Sequence, residues 1–293
     1  MEDKPRIALL GLGLMGTGMA SRLLGQGYPV TVYNRSPEKT QPLAKLGASV
    51  ATTAKQAVLQ ADIVISMLAD DHAARSVWLG EDGALAGAPG GAVLIECSTA
   101  TVAWVKELAA AAGAANRNLK FLDAPVTGSK PHAAAGELTF LVGGAAEDLK
   151  TVTPVLSAMG KQIVHLGPVG SGALMKLINN FVCGVQVVAL GEAIAAIERS
   201  TLNREQAVGV LTGGAPGSPI VKMVAARMLA STFEPNFPLK LITKDLTYAQ
   251  QQAGHTEVGA AALKTFQRAI DAGLGDLDFS AVIKLLRDAG IKK

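Results

Sequence analysis

The N-terminal half of the chain alternates short runs of consecutive apolar residues with stretches of helical period. The runs fall at residues 6–10, 29–33, 61–68, 92–97, 120–123 and 137–142. They are apolar at successive rather than alternate positions, which suits strands buried on both faces of a sheet. Helix-like segments separate several of them, at about residues 14–26 and in the Ala-rich stretch 105–115. Strands alternating with helices predict a doubly wound parallel α/β sheet. After Gly167-Pro168 the strand pattern stops and helical periods run to the end. Helices are expected near residues 172–200, 204–211, 218–230, 239–253 and 258–272, with Gly/Pro-rich breaks at 213–217 and 233–238. A short last helix starts near 278–280, capped by Asp278 or Ser280. The expected organisation is a sheet domain, 1–166, and an all-α domain, 167–293, joined by one long interdomain helix. A cleft between two such domains is the natural ligand site.

The first strand runs straight into Gly11-Leu12-Gly13-Leu14-Met15-Gly16, which opens the first helix. This is G-x-G-x-x-G in its strand–loop–helix context, and it makes the sheet Rossmann-type. Gly11 permits the tight turn, Gly13 lets the backbone approach a pyrophosphate, and Gly16 lets helix and strand pack closely. The helix N-terminus offers N–H groups and a positive dipole end to the phosphates. At the end of the second strand, an acid would accept hydrogen bonds from a ribose 2′-OH. Asn34-Arg35-Ser36 stands there instead, with Lys39 and Thr40 nearby. A guanidinium grips a 2′-phosphate, so NADP(H) is preferred, with NAD(H) as the alternative.

Ligands in such sheets sit beyond the carboxyl ends of the strands. That places Met67-Leu68, Ser98-Thr99 and the loop Asp123–Ser129 on the ligand side. Thr99 also reads as an ordinary helix cap. Thr127, Gly128 and Ser129 combine backbone N–H groups with two hydroxyls, which suits a carboxylate and equally suits a plain turn.

Gly170 and Gly172 precede Lys176 and Asn180 on the long helix, and Leu174, Leu177, Ile178, Phe181, Val182 and Val185 surround that pair. The i, i+4 spacing puts Lys176 and Asn180 on one face. Desolvation lowers a lysine pKa, which proton transfer requires, whereas a snorkelling lysine is the bland alternative. Apolar residues run nearly all round this helix, which signals burial on more than one side and a homodimer or homotetramer. Lys244-Asp245 reads as a solvated helix pair.

Composition narrows the class. The 293 residues are 49% hydrophobic and 17% charged, with a formal net charge of +3. No basic run or basic–aromatic stripe favours nucleic acid. Cys97 and Cys183 lack metal spacing and read as reduced core thiols of a cytoplasmic protein. The histidines, His72, His132, His165 and His255, are scattered, so no metal site is expected. The apolar start at residues 7–16 is broken by glycines, and residues 181–197 are short for a membrane span and carry Gln186 and Glu192. No membrane partner is expected.

Four motifs then align: the glycine loop with Met19, the loop Asp123–Ser129, the set Gly170, Gly172, Lys176 and Asn180, and Lys244-Asp245-Leu246 with Ala249. Their order and spacing, over nearly the whole chain, resemble the β-hydroxyacid dehydrogenase family of 3-hydroxyisobutyrate dehydrogenases and their relatives. The resemblance implies an NAD(P)-dependent enzyme with Lys176 as its proton-transferring residue. Asn180 would hold the substrate oxygen and orient Lys176, while Ser98, Thr127, Gly128 and Ser129 would serve the substrate. Met67-Leu68 would line the adenosine side. Thr99 and Lys244 would approach the nicotinamide end, with Lys244 also helping to neutralise the substrate. Within the family, residues 127–131 and 237–240 resemble the glyoxylate and succinic semialdehyde reductases. A 3-hydroxyisobutyrate- or serine-type dehydrogenase is the enzymatic alternative. A cofactor-sensing module with dead chemistry is the non-enzymatic one.

Overall fold

A computed structural model describes residues 4–115, 117–254 and 256–288. His255, counted above among the scattered histidines, lies outside the described residues. The chain forms two compact units, Met1–Lys176 and Leu177–Lys293. The boundary falls inside the helix Ser171–Glu198.

The described residues of the first unit form a nine-stranded sheet. Its parallel part comprises β1 (Ile7–Leu10), β2 (Val30–Tyr33), β3 (Ser49–Val50), β4 (Ile63–Ser66), β5 (Val93–Glu96) and β6 (Lys120–Asp123). They lie in the order β3-β2-β1-β4-β5-β6. Chain order reverses between β1 and β4, so the carboxyl ends there form the crevice expected of a Rossmann-type sheet. In β1, Ile7 and Leu9 face one core and Ala8 and Leu10 the other. Burial on both faces explains the unbroken apolar runs.

The far edge differs from the all-parallel expectation. Here β7 (Val126–Thr127), β8 (Leu138–Gly144) and β9 (Gly160–Gly167) complete the sheet. Strand β8 runs antiparallel to β6 and to β7, and β9 pairs parallel with β8. The chain between β6 and β8 holds β7 and one short helix, Lys130–Ala135, so it returns in the opposite direction. Strand β9 mixes exposed Lys161, Gln162 and His165 into its length and offers no apolar run to read.

The second unit is helical: Arg204–Gly213, Pro219–Ala230, Leu239–Ala253, Glu257–Asp271 and Val282–Asp288 follow the long helix. Val187, Leu190 and Ile194 of the long helix join a core with Val224, Leu246, Phe266 and Ile283. The long helix is not buried all round. Leu174, Ile178 and Val182 form an exposed stripe at i, i+4, i+8. Caps agree with local chemistry: Ser218 accepts from Val221 N–H and Asp278 from Ser280 N–H. Helix Val102–Ala114 is capped by Thr101, whose hydroxyl accepts from Trp104 N–H at 3.1 Å, so Thr99 is not its cap.

Arg287 clamps Glu198 through two hydrogen bonds of 2.6 and 2.7 Å, tying the last helix to the end of the long one. The guanidinium holds the Glu198 carboxyl below its ordinary range, chiefly by hydrogen bonding. A lowered folded pKa contributes stability above the unfolded value and loses it as pH falls. Glu198→Gln is therefore expected to cost about 1 kcal/mol at pH 7, and the difference from the parent to shrink progressively as pH falls below about 4. Urea unfolding at both pH values measures it.

Candidate functional site

The glycine loop is built as the sequence requires. Gly11 has φ +98°, and a Cβ there would lie 2.4 Å from the Met67 carbonyl oxygen and 2.8 Å from Leu68 Cδ2. A Cβ on Gly16 would lie 2.0 Å from the Gly11 carbonyl oxygen. Both positions exclude a side chain. A Cβ on Gly13 would instead meet nothing within 4 Å. Helix Leu14–Gly25 begins there with no side-chain cap and no acid in its first turn. Open space before an uncapped helix N-terminus fits a pyrophosphate, so the residues present suit a dinucleotide.

Asn34 Oδ1 accepts from Leu12 N–H at 2.9 Å, and its Nδ2 donates to the Ser36 carbonyl at 3.0 Å. Its amide braces the glycine loop. Arg35 is exposed, and no described residue forms an ion pair or hydrogen bond with it. Its guanidinium is available to an anionic ligand.

At the neighbouring strand ends, Met67 and Leu68 are half-buried and follow β4. Ser98 is 1% exposed, and its hydroxyl accepts from Leu68 N–H at 2.8 Å. The Ser98 hydroxyl thus has an internal role, bracing the Leu68 backbone, and accepting that bond leaves its own O–H able to donate. Thr99 is half-buried beside it.

Thr127 lies in β7, and Gly128 is exposed with φ +120°. Ser129 caps Lys130–Ala135: its N–H donates to His132 Nδ1 at 3.2 Å, and its hydroxyl lies 3.0 Å from the same nitrogen. The exposed backbone at Gly128 is thus better placed for a ligand than the Ser129 hydroxyl.

Asp123, the first residue of that loop, anchors the long helix. Its carboxylate accepts from Gly170 N–H and Ala173 N–H, both at 2.7 Å. Burial pushes its pKa up, opposed by those N–H donors. Gly170 supplies φ +95°, and a Cβ on Gly172 would lie 2.2 Å from the Leu141 carbonyl oxygen. The glycine pair lets the helix start against β6 and β8 and so sets the position of Lys176, which is only 9% exposed.

Asn180, one turn on, is 4% exposed. Its Nδ2 donates to Asp245 Oδ2 at 2.6 Å, and its Oδ1 accepts from Asn179 Nδ2 at 3.0 Å. Lys244 Nζ lies 2.9 Å from Asp245 Oδ1 and 5.1 Å from the centre of the Tyr248 ring. Lys244-Asp245 is therefore not a solvated pair, for Asp245 is 1% exposed. Sequence reasoning missed the role of Asp245. The signal was available in the helix register: Asp245 lies one position before Leu246 and three after Ile242, both in the core.

Comparison with known proteins places these features. Residues 6–167 match the family described as the NAD binding domain of 6-phosphogluconate dehydrogenase. Residues 170–286 match the NAD-binding domain of NADP-dependent 3-hydroxyisobutyrate dehydrogenase. Glyoxylate/succinic semialdehyde reductase 2 of Arabidopsis thaliana is 35% identical over 287 residues, covering 97% of this chain and 80% of that protein. The 3-hydroxyisobutyrate dehydrogenase of Pseudomonas aeruginosa is 35% identical, covering 96% and 98%. The structure of Mycobacterium tuberculosis 3-hydroxyisobutyrate dehydrogenase with L-serine matches with a TM-score of 0.87 at 33% identity, covering 97% and 99%.

Proposed function

The chain belongs to the β-hydroxyacid dehydrogenase family, NAD(P)-dependent enzymes acting on CH–OH groups, and from that premise we propose that it is an NADPH-dependent reductase of short aldehyde-acids such as glyoxylate and succinic semialdehyde. The observation that carries the cofactor choice is Arg35, exposed and without a partner among the described residues, at the end of β2 where an acid would select NAD. The loop sequences at 127–131 and 237–240 support the substrate class.

The cofactor, when bound, supplies the hydride. Leu14, Met15 and Gly16 would receive its pyrophosphate on the helix N-terminus, and Arg35 with Ser36 would take the 2′-phosphate. Met67, Leu68 and Thr99 would line the remainder of the cofactor. Backbone N–H groups at Thr127 and Gly128 hold the substrate carboxylate. Lys176, as the ammonium, hydrogen-bonds the substrate carbonyl oxygen and protonates the alkoxide. In the reverse direction neutral Lys176 takes the hydroxyl proton. Asn180 orients the substrate oxygen, and Asp245 holds the Asn180 amide in place. Lys244 is assigned to the nicotinamide end by its motif. The exposed stripe Leu174, Ile178 and Val182 supports a homodimer or homotetramer. The two thiols support a cytoplasmic setting.

The test is steady-state oxidation of NADPH and NADH with glyoxylate, succinic semialdehyde and methylmalonate semialdehyde. NADPH-linked turnover of the first two is expected. Preference for methylmalonate semialdehyde would move the chain to the 3-hydroxyisobutyrate branch and overturn the substrate reading.

A further inference from the structure

Glu96 ends β5 and is wholly buried. Among the described residues no cation pairs with it. A buried carboxylate without a cation is costly and needs donors. Here they are neutral. Glu96 Oε1 accepts from Ser98 N–H at 2.9 Å, and Oε2 from Trp78 Nε1–H at 3.0 Å. Trp78 Nε1 is also 3.0 Å from Ser66 Oγ. Burial raises the Glu96 pKa, and the Ser98, Ser66 and Trp78 donors oppose that rise.

These bonds clamp the segment after β4 at both ends. Trp78 closes the helix Asp71–Trp78. At the other end Leu68 donates to Ser98 Oγ, and Ser98 donates to Glu96. Met67 and Leu68 are the residues seated against bare Gly11, at the crevice between β1 and β4. An apolar residue at 96 would fill the same space without the desolvation cost, but it would leave Ser98 N–H and Trp78 Nε1–H without this acceptor.

We propose that Glu96 is a positioning residue for the dinucleotide, holding the Met67-Leu68 wall of the crevice through Ser98 and the following helix through Trp78. This rests on the cofactor reading above. It makes Trp78 a reporter of cofactor binding, although its indole is buried on the far side of the relay.

The experiment uses NADP+, which does not absorb tryptophan emission. Trp104→Phe leaves Trp78 as the sole tryptophan; the Trp104 indole N–H has no hydrogen-bond partner among the described residues, so nothing is orphaned. In this background NADP+ is titrated by calorimetry and by Trp78 emission. Adding Ser98→Ala or Glu96→Gln is expected to raise the NADP+ Kd about tenfold, and Ser98→Thr, which keeps the hydroxyl, to restore it. At saturation the Trp78 response is expected in the background chain and lost with Ser98→Ala. A merely structural Ser98 would lower the melting temperature and leave both readouts unchanged, and that result overturns the proposal. If Glu96→Gln does not fold, Glu96→Asp, which shortens the reach to Ser98 N–H and Trp78 Nε1–H, takes its place, and an unchanged NADP+ Kd with it overturns the proposal. If the background chain binds no NADP+, the cofactor reading fails and this inference with it.

Discussion

Lys176→Ala is expected to lower kcat about 1,000-fold with an unchanged cofactor Kd. The loss corresponds to about 4 kcal/mol of transition-state stabilisation. The residue is 9% exposed and sits one turn before Asn180 on a helix whose start Asp123 fixes through two 2.7 Å bonds. In the proposed reaction an ammonium there would donate to the substrate oxygen while charge develops on it. Water replacing it donates without that orientation or charge. Lys176→Arg is not expected to rescue turnover, because a guanidinium does not deprotonate in the operating range and its planar fork needs a different geometry. Single-turnover measurements at saturating cofactor separate the chemical step from binding. Near-native turnover of the alanine variant would remove Lys176 from the chemistry.

Arg35→Asp is expected to raise the KM for NADPH about 100-fold and to leave that for NADH unchanged or lower. Two effects add. The variant loses a charge-assisted contact to the 2′-phosphate, and it places a like charge against that phosphate. The new carboxylate also offers the ribose 2′-OH an acceptor. Asn34 is left untouched, so its bonds to Leu12 and Ser36 still hold the glycine loop. A variant with equal loss for both cofactors would show that Arg35 supports the fold rather than the phosphate. Unchanged affinity for both would show that the 2′-phosphate lies elsewhere.

The parts of this site that were legible in the sequence are those set by local backbone physics. Gly11 needs positive φ and Gly16 has no room for a Cβ, so the loop announces itself in six consecutive residues. Apolar runs reported strands buried on both faces. The i, i+4 spacing of Lys176 and Asn180 put them on one helix face with no tertiary information. The resemblance of four motifs to a known family then carried the reading from dinucleotide binding to hydroxyacid chemistry.

What local pattern could not report was which partner engages each polar atom. The sequence pattern does not show that the Ser98 hydroxyl accepts from Leu68 N–H or that the Ser129 hydroxyl lies 3.0 Å from His132 Nδ1. Strand β9, half exposed, has too little apolar periodicity to be seen. Antiparallel β8 has an apolar run indistinguishable from that of a parallel strand, since direction is set by how the chain returns.

The sequence by itself determined the Rossmann-type crevice, the helical second unit and the lysine–asparagine pair, because each depends on residues within a few positions of one another. The tertiary structure alone decided that Asp123 anchors the long helix, 47 residues away at Gly170, and that Asp245 grips Asn180 across 65 residues. Those contacts exist because a buried carboxylate must find donors wherever folding brings them, and no local spacing encodes that meeting.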